Sequence, residues 1–391
     1  MRNVTIIGAS ENKHGILKKQ TVRDMIAEVG NGAIADAGID RKDVQALYMG
    51  NYNGNALNHQ NTLAALAATS LGLRNAASMR VEGACASGGI AFRQGYMAVA
   101  SGIYDTVMVM GVEKMNVPFD DVSVDNQIQA ALSGVDYKYE GGYGINGSNM
   151  FALFANRHMY EYGTTREQLA DVAVKNKYHG SLNPYAQKQR EITKEKVMKS
   201  PIISSPFSTQ EVSLVSDGAA AVIITTSEKA KELKDKRVRV LGSGHGGGSF
   251  TIADRRSTTE MDATINAANE AFKMAGLQRE DIDVLECHDC FSFTEIMNIE
   301  DLGFVEKGKG GPFTADGHTR LGGKLPVNTS GGLSAKGHPI GCTGVGQVVE
   351  MTFQLRDESD KRQVKDAKHA LTHVLGGPGA VSTVHILGRE D

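Results

Sequence analysis

Arg23-Asp24-Met25-Ile26-Ala27-Glu28-Val29-Gly30-Asn31-Gly32-Ala33-Ile34-Ala35-Asp36-Ala37-Gly38-Ile39-Asp40-Arg41-Lys42-Asp43-Val44, running on to Tyr48-Met49-Gly50, reads as an amphipathic helix, a glycine stop and an apolar strand. Residues 261–288 follow the same plan. A helix passes through Ala267-Ala268-Asn269-Glu270-Ala271-Phe272, then comes Ala275-Gly276-Leu277-Gln278-Arg279-Glu280-Asp281-Ile282, then the strand Asp283-Val284-Leu285-Glu286-Cys287. An Ala-Gly-Ile/Leu-x-Arg-Lys/Glu-Asp-Val/Ile signature precedes the strand both times. A second echo pairs Tyr104–Gly111 with Ala370–Gly377, each an apolar strand that ends in glycine after a long helix. The chain is therefore expected to contain two duplicated α/β halves, with mostly parallel sheets covered by helices and ligands at the carboxyl ends of strands.

Residues 114–212 lose this alternation and turn polar, with clusters such as Glu140-Gly141-Gly142-Tyr143-Gly144, which suits an inserted loop domain lying over a site. Gly218–Thr225 then reads as a strand returning to the first sheet. The expected division is 1–113 plus 213–235 for the first half, 114–212 for the insertion and 236–391 for the second half.

Of the 391 residues, 41% are hydrophobic and 22% charged, the profile of a chain with a large core rather than a disordered one. A net charge of −3 argues against a nucleic-acid binder, which needs a basic stripe to displace counterions. Four cysteines (Cys85, Cys287, Cys290, Cys342) are too few for a disulfide framework, and reduced thiols suit the cytoplasm. The apolar run Val4–Gly8 is short for a signal segment, no stretch has the length of a membrane helix, and the last residues are not Ser-Lys-Leu. A cytoplasmic location is the expectation.

Four segments carry reactive groups. Cys85 lies in Val81-Glu82-Gly83-Ala84-Cys85-Ala86-Ser87-Gly88-Gly89, where a strand gives way to a small-residue helix. Free N–H groups and the helix dipole at such a junction favour a thiolate, although a free cysteine is often a buried apolar filler. In Cys287-His288-Asp289-Cys290-Phe291, residues two apart share a face, so His288 and Cys290 project together and Cys287 turns to the core. A Cys-x-x-Cys metal site would need a second ligand pair, and none with metal spacing exists, so no metal is expected. Asn328–Cys342 holds His338 in a glycine- and proline-rich turn that suits a general base or an oxyanion donor. Leu375-Gly376-Gly377-Pro378-Gly379 is a strand-end turn able to aim backbone N–H groups at an oxyanion.

Together these segments resemble the thiolase superfamily over nearly the whole chain, and His288-Asp289-Cys290-Phe291 is similar to the sterol-carrier-protein type of thiolase. The resemblance implies a five-layered α-β-α-β-α core with an inserted loop domain. It implies a catalytic set in which Cys85 is acylated, His338 activates it, His288 helps to hold a thioester oxyanion and Cys290 takes the place of the acid/base cysteine that Val374-Leu375-Gly376 lacks. The Gly376 amide is expected in the oxyanion hole, Cys342 in packing. Ser243, in the glycine-rich run Val240–Gly248, is expected near the pantetheine arm, where an interdomain linker is the other reading.

The implied reaction is condensation of two acyl-CoA molecules, acetyl-CoA to acetoacetyl-CoA above all, or the reverse thiolysis. Coenzyme A thioesters are then substrates, with no permanently bound cofactor. A decarboxylating ketoacyl synthase would use Cys85, His288 and His338 but needs no second cysteine. An aldolase-like relative would not need Cys85 as an acyl carrier, and a non-catalytic binding subunit would keep only the fold. The resemblance further implies a homodimer or tetramer and a complex with a hydroxymethylglutaryl-CoA synthase and a small zinc-ribbon, OB-fold scaffold protein.

Overall fold

The computed structural model describes residues 1–117, 130 and 133–390. Its strands are β1 (Val4–Glu11), β2 (Ala46–Gly50), β3 (Ala77–Val81), β4 (Thr106–Glu113), β5 (Ile202–Ser204), β6 (Phe207–Ser208), β7 (Gly218–Thr226), β8 (Arg237–Gly247), β9 (Val284–Glu286), β10 (His369–Gly376) and β11 (Val381–Glu390). Nine of them run in the order β3-β2-β4-β7-β1-β8-β11-β10-β9, and β5 and β6 pair separately. Among the described residues the nine fall into two halves whose strands pair with each other through Thr5↔Arg239 and Ile6↔Val238 of β1 and β8.

Each half repeats one plan. In the first, β2 runs parallel to β3 and β4, while β7 and β1 follow antiparallel. In the second, β9 is parallel to β10, β11 and β8 follow antiparallel, and an isolated parallel bridge from Leu285 to Val327 stands where β3 stands in the first half. The expectation of mostly parallel sheets is thus corrected to mixed ones. Crossover helices keep β2, β3 and β4 parallel, but β7 returns through the inserted segment and β11 through the tight turn after Gly376, and both connections leave the next strand antiparallel.

The central helices Ser87–Ala100 and Thr343–Leu355 pack on each other and touch strands of both halves. Helix Val22–Ala37 covers the outer face of the first half, and helix Asp262–Ala275 that of the second. Five layers result. Val107, Val109, Val222, Ile224, Val345 and Val348, all fully buried, fill the space between the first half-sheet and the central helices.

The run Val240–Gly247 is part of strand β8, not a linker. Its alternate glycines Gly242, Gly244 and Gly246 share one face, where an added Cβ would fall on the carbonyl oxygens of Ala271, Ala267 and Ala263 in the covering helix. Helix and strand approach this closely because both present small residues. Gly244→Ala is expected to destabilise the fold by about 1–3 kcal/mol through a forced backbone shift. A thermal scan should show a lower midpoint.

The inserted segment packs against the second half. Met150, Phe151 and Phe154 of helix Gly147–Tyr162 and Leu169 and Val172 of helix Arg166–Ser181 share one apolar cluster with Cys290, Phe291, Phe293, Ile296 and Met297. Part of the expected insertion lies outside the described residues. No helix among the described residues is long and apolar enough to cross a membrane.

Candidate functional site

Cys85 and His338 stand at corresponding places of the two halves, each just before a central helix. The helix starts meet through glycine: a Cβ on Gly88 would sit 2.9 Å from the Gly341 carbonyl oxygen and 2.9 Å from the Val345 amide, and one on Gly344 would strike the Gly89 backbone. This approach brings together two residues 253 positions apart, with His338 Nε2 3.3 Å from Cys85 Sγ. β3 leads into the turn that carries Cys85, where Ala84 holds φ at 49°, a left-handed conformation costly for a residue with a Cβ. Ser87 closes that turn by donating to the Ala84 carbonyl at 2.6 Å and accepting from the Gly83 amide at 3.0 Å.

His338 is set as a base by its neighbours. Thr343 Oγ1 lies 2.7 Å from His338 Nδ1 and donates its own proton to the Pro339 carbonyl at 3.2 Å. The hydroxyl must therefore accept from Nδ1–H, which leaves Nε2 as a lone pair facing sulfur. Thr343→Val, which removes that acceptor, should lower kcat/KM by at least roughly tenfold, short of the ~10⁴ seen when a triad's orienting carboxylate is replaced. Thr343→Ser should restore it, and comparing the two pH–rate profiles checks the tautomer argument.

The second sulfur comes from the end of β9. Alternation holds past the strand: Cys287 packs in the apolar cluster under helix Asp262–Ala275, whereas Cys290 opens on the cavity. That separation splits the Cys-x-x-Cys pair. Cys290 Sγ lies 3.9 Å from Thr294 Oγ1, and its carbonyl accepts from the Ser213 amide at 2.8 Å. His288 has its carbonyl held by Asn298 Nδ2 at 2.6 Å, and its ring crosses that of His338 at 74° with centroids 5.3 Å apart. Its Nδ1 is buried and has no hydrogen-bond partner among the described residues. Asp289 turns away from the cavity and accepts from the Leu333 amide and Asn176 Nδ2, both at 2.8 Å, which ties the His288 loop to the segment before His338.

One donor atom each from Cys85, His288 and His338 lies within 4.8 Å of the others. Among the described residues these three form the group able to hold a metal ion, and the same atoms form the nucleophile–base contact. Cys85, Cys290 and His338 line a cavity of about 190 Å³ walled by Met150, Phe151, Phe291, Ile340 and Tyr52. It is predominantly apolar, the setting in which a few fixed donors act strongly.

Electrostatics there differ from the helix-terminus expectation for Cys85. Burial pushes its thiol up to about 12, the Glu113 carboxylate adds to this, and the amides of Cys85 itself and Gly377 oppose it. Burial holds His338 down at about 4, and holds His288 well below the usual imidazole value with help from His338. Cys290 is raised well above an ordinary thiol by burial first and Cys85 second. The resting site is thus neutral, two thiols and two imidazoles, and charge develops only as a proton moves from sulfur to Nε2.

Two expected residues are placed elsewhere. Ser243 is fully buried inside β8, its hydroxyl 3.1 Å from His385 Nδ1, and it is not among the described residues that line the cavity. Gly376 ends β10, packed so that a Cβ would meet the Gly83 carbonyl. The next residue, Gly377 (φ 57°), presents the amide that faces Cys85. Cys342 is fully buried in packing, 3.8 Å from His14 Nε2, as expected.

The motifs did not reveal Glu113, which accepts from the Tyr52, Asn53 and Gly341 amides and Asn51 Nδ2, all at 2.9 Å, and so joins the end of β2 to the His338 turn. Thr343 was visible only as a hydroxyl five positions after His338.

Residues 4–228 match the family described as Thiolase, N-terminal domain, and residues 244–389 match Thiolase C-terminal domain-like. An acetyl-CoA acetyltransferase of Methanothermobacter thermautotrophicus is 47% identical over the full length of both chains. Sterol carrier protein 2 of Oryctolagus cuniculus is 35% identical over 93% of this chain and 68% of its own. A solved structure of an Ltp2-ChsH2(DUF35) aldolase superposes with a TM-score of 0.84 at 26% identity, covering 99% of this chain and 97% of that one. Full-length matches in both halves, on the duplicated architecture described above, lead to one conclusion: this chain belongs to the thiolase family.

Proposed function

We propose that this thiolase joins two molecules of acetyl-CoA into acetoacetyl-CoA and free coenzyme A, and catalyses the reverse thiolysis. The observation that carries the proposal is the 3.3 Å approach of a lone-pair imidazole nitrogen to a half-buried thiol, in an apolar cavity that also holds Cys290. The cavity of about 190 Å³ has room for about six water-sized groups, the scale of a short ketoacyl chain. The acetyltransferase relative supports the same substrate.

In the first half-reaction Cys85 sulfur attacks the acetyl carbonyl as its proton passes to His338, and Cys290 gives its proton to the departing CoA sulfur. Cys290 is then a thiolate. In the second it takes an α-proton from a new acetyl-CoA, the carbanion attacks the acyl carbonyl, and the Cys85 thiolate leaves and recovers the proton from His338. His288 and His338 serve the enolate oxygen, and the amides of Cys85 and Gly377 the acyl oxyanion. Losing one such donor typically costs about 10²–10³ in rate.

Mixing the protein with acetyl-CoA should give an acetyl group on Cys85 by peptide mass spectrometry, and acetoacetyl-CoA in solution. A requirement for a malonyl donor would transfer the reading to a decarboxylating synthase, and product without an adduct would favour aldolase-like chemistry.

The proposal extends to a cytoplasmic homo-oligomer. Four free cysteines support a reducing compartment, and the sheet-edge strand β3, with Met79 53% exposed, supports association. A complex with a hydroxymethylglutaryl-CoA synthase and a zinc-ribbon, OB-fold protein is the further partner reading. The DUF35 component named in the structural neighbour lends it support.

A further inference from the structure

A second cavity, of about 180 Å³, shares no lining residue with the sulfur pocket. Lys177, Lys188, Arg190 and Lys196 line it together with Thr209 and Gln210, against a single acid, Glu191. Neighbouring lysines are neutralised: Lys175 holds Glu295 at 2.7 Å, Lys194 holds Asp171 at 2.8 Å and Lys199 holds Glu195 at 2.5 Å. Among the described residues the four cleft cations hold no carboxylate. Lys177 is buried, and its Nζ donates to the Ser334 carbonyl. Burial pulls its ammonium down to about 8, Asp289 opposes this, and Lys188 and Arg190 add to it. Like charges gathered without acids destabilise a fold unless an anion joins them, and Arg with Lys is the donor set that suits phosphate.

We propose that this cleft binds phosphate groups, with Lys188, Arg190 and Lys196 at the rim and Lys177 at the back. The phosphates could come from the nucleotide end of coenzyme A or from a free phosphorylated metabolite. The inference does not depend on the acyl-transfer reading, which the Cys85 adduct reports separately.

Calorimetry with pyrophosphate and with coenzyme A, on the wild type and on Lys188→Glu/Arg190→Glu, tests it. Both positions are exposed, so the variant is expected to fold, and circular dichroism checks this. Pyrophosphate should bind the wild type at low salt, weaken as salt is added, and lose at least about tenfold in affinity in the variant. If coenzyme A loses affinity in parallel, its own phosphates are the ligand; if it does not, the ligand is a free phosphorylated metabolite. No pyrophosphate binding to the wild type at millimolar concentration, or equal binding by the variant, overturns the proposal.

Discussion

Cys85→Ala, incubated with acetyl-CoA, should carry no acetyl group anywhere on the protein, and its turnover should fall by on the order of 10⁴-fold or more, the scale seen when a covalent nucleophile is removed. The expectation rests on the surroundings of the other three sulfurs. Cys342 is fully buried outside the cavity, and Cys287 lies in the apolar cluster under helix Asp262–Ala275. Cys290 does reach the cavity, but the contact its sulfur makes is with the Thr294 hydroxyl, which cannot accept a proton as an imidazole does. Cys342 has His14 Nε2 at 3.8 Å but does not line the cavity, so of the two sulfurs that do, Cys85 is the one with a basic nitrogen in contact, at 3.3 Å. Because burial holds its thiol near 12, the sulfur is inert until His338 takes the proton, so the imidazole is as necessary as the nucleophile. Alanine removes a single atom from a half-buried position, and the thermal midpoint should barely move. Acetylation of Cys290 in this variant, at a rate near that of the wild type, would overturn the assignment of the nucleophile.

The architecture was legible because duplication writes the same helix–glycine–strand pattern twice, and the two copies became matching layers. Strand direction was less so. Alternating elements suggest parallel sheets, but whether β7 and β11 run back antiparallel depends on the connections before them, which carry no periodic signal. Glycine was the residue most easily misread. Gly242, Gly244 and Gly246 resemble a linker in the sequence, yet each removes a Cβ that would strike the covering helix, and the strand they form buries Ser243. No motif announces the role of Gly88 and Gly344, which let two helix starts approach until Cys85 meets His338. The choice between Gly376 and Gly377 rests on which amide reaches the Cys85 sulfur, and that is the amide of Gly377.

Cys290→Ala separates the two half-reactions. The variant keeps Cys85, its base and the amides around the sulfur, so it should take up an acetyl group from acetyl-CoA. Condensation should then fall by roughly 10²–10⁴-fold, the usual contribution of a positioned acid or base. The acylation rate itself should fall less, because water can protonate a departing CoA thiolate, whereas among the described residues lining the cavity no other group is placed to remove a proton next to a thioester carbonyl. His338 is not free to substitute: its Nε2 faces Cys85, and its Nδ1 proton is committed to Thr343. Burial and the neighbouring Cys85 raise the Cys290 thiol, which suits it to carry a proton at rest and to act as a strong base once that proton has gone. Rapid-quench mass spectrometry of the acetylated variant, chased with a second acetyl-CoA, reads the two steps independently. Accumulation of acetyl-Cys85 with little acetoacetyl-CoA is the expected result, and wild-type condensation would remove Cys290 from the mechanism.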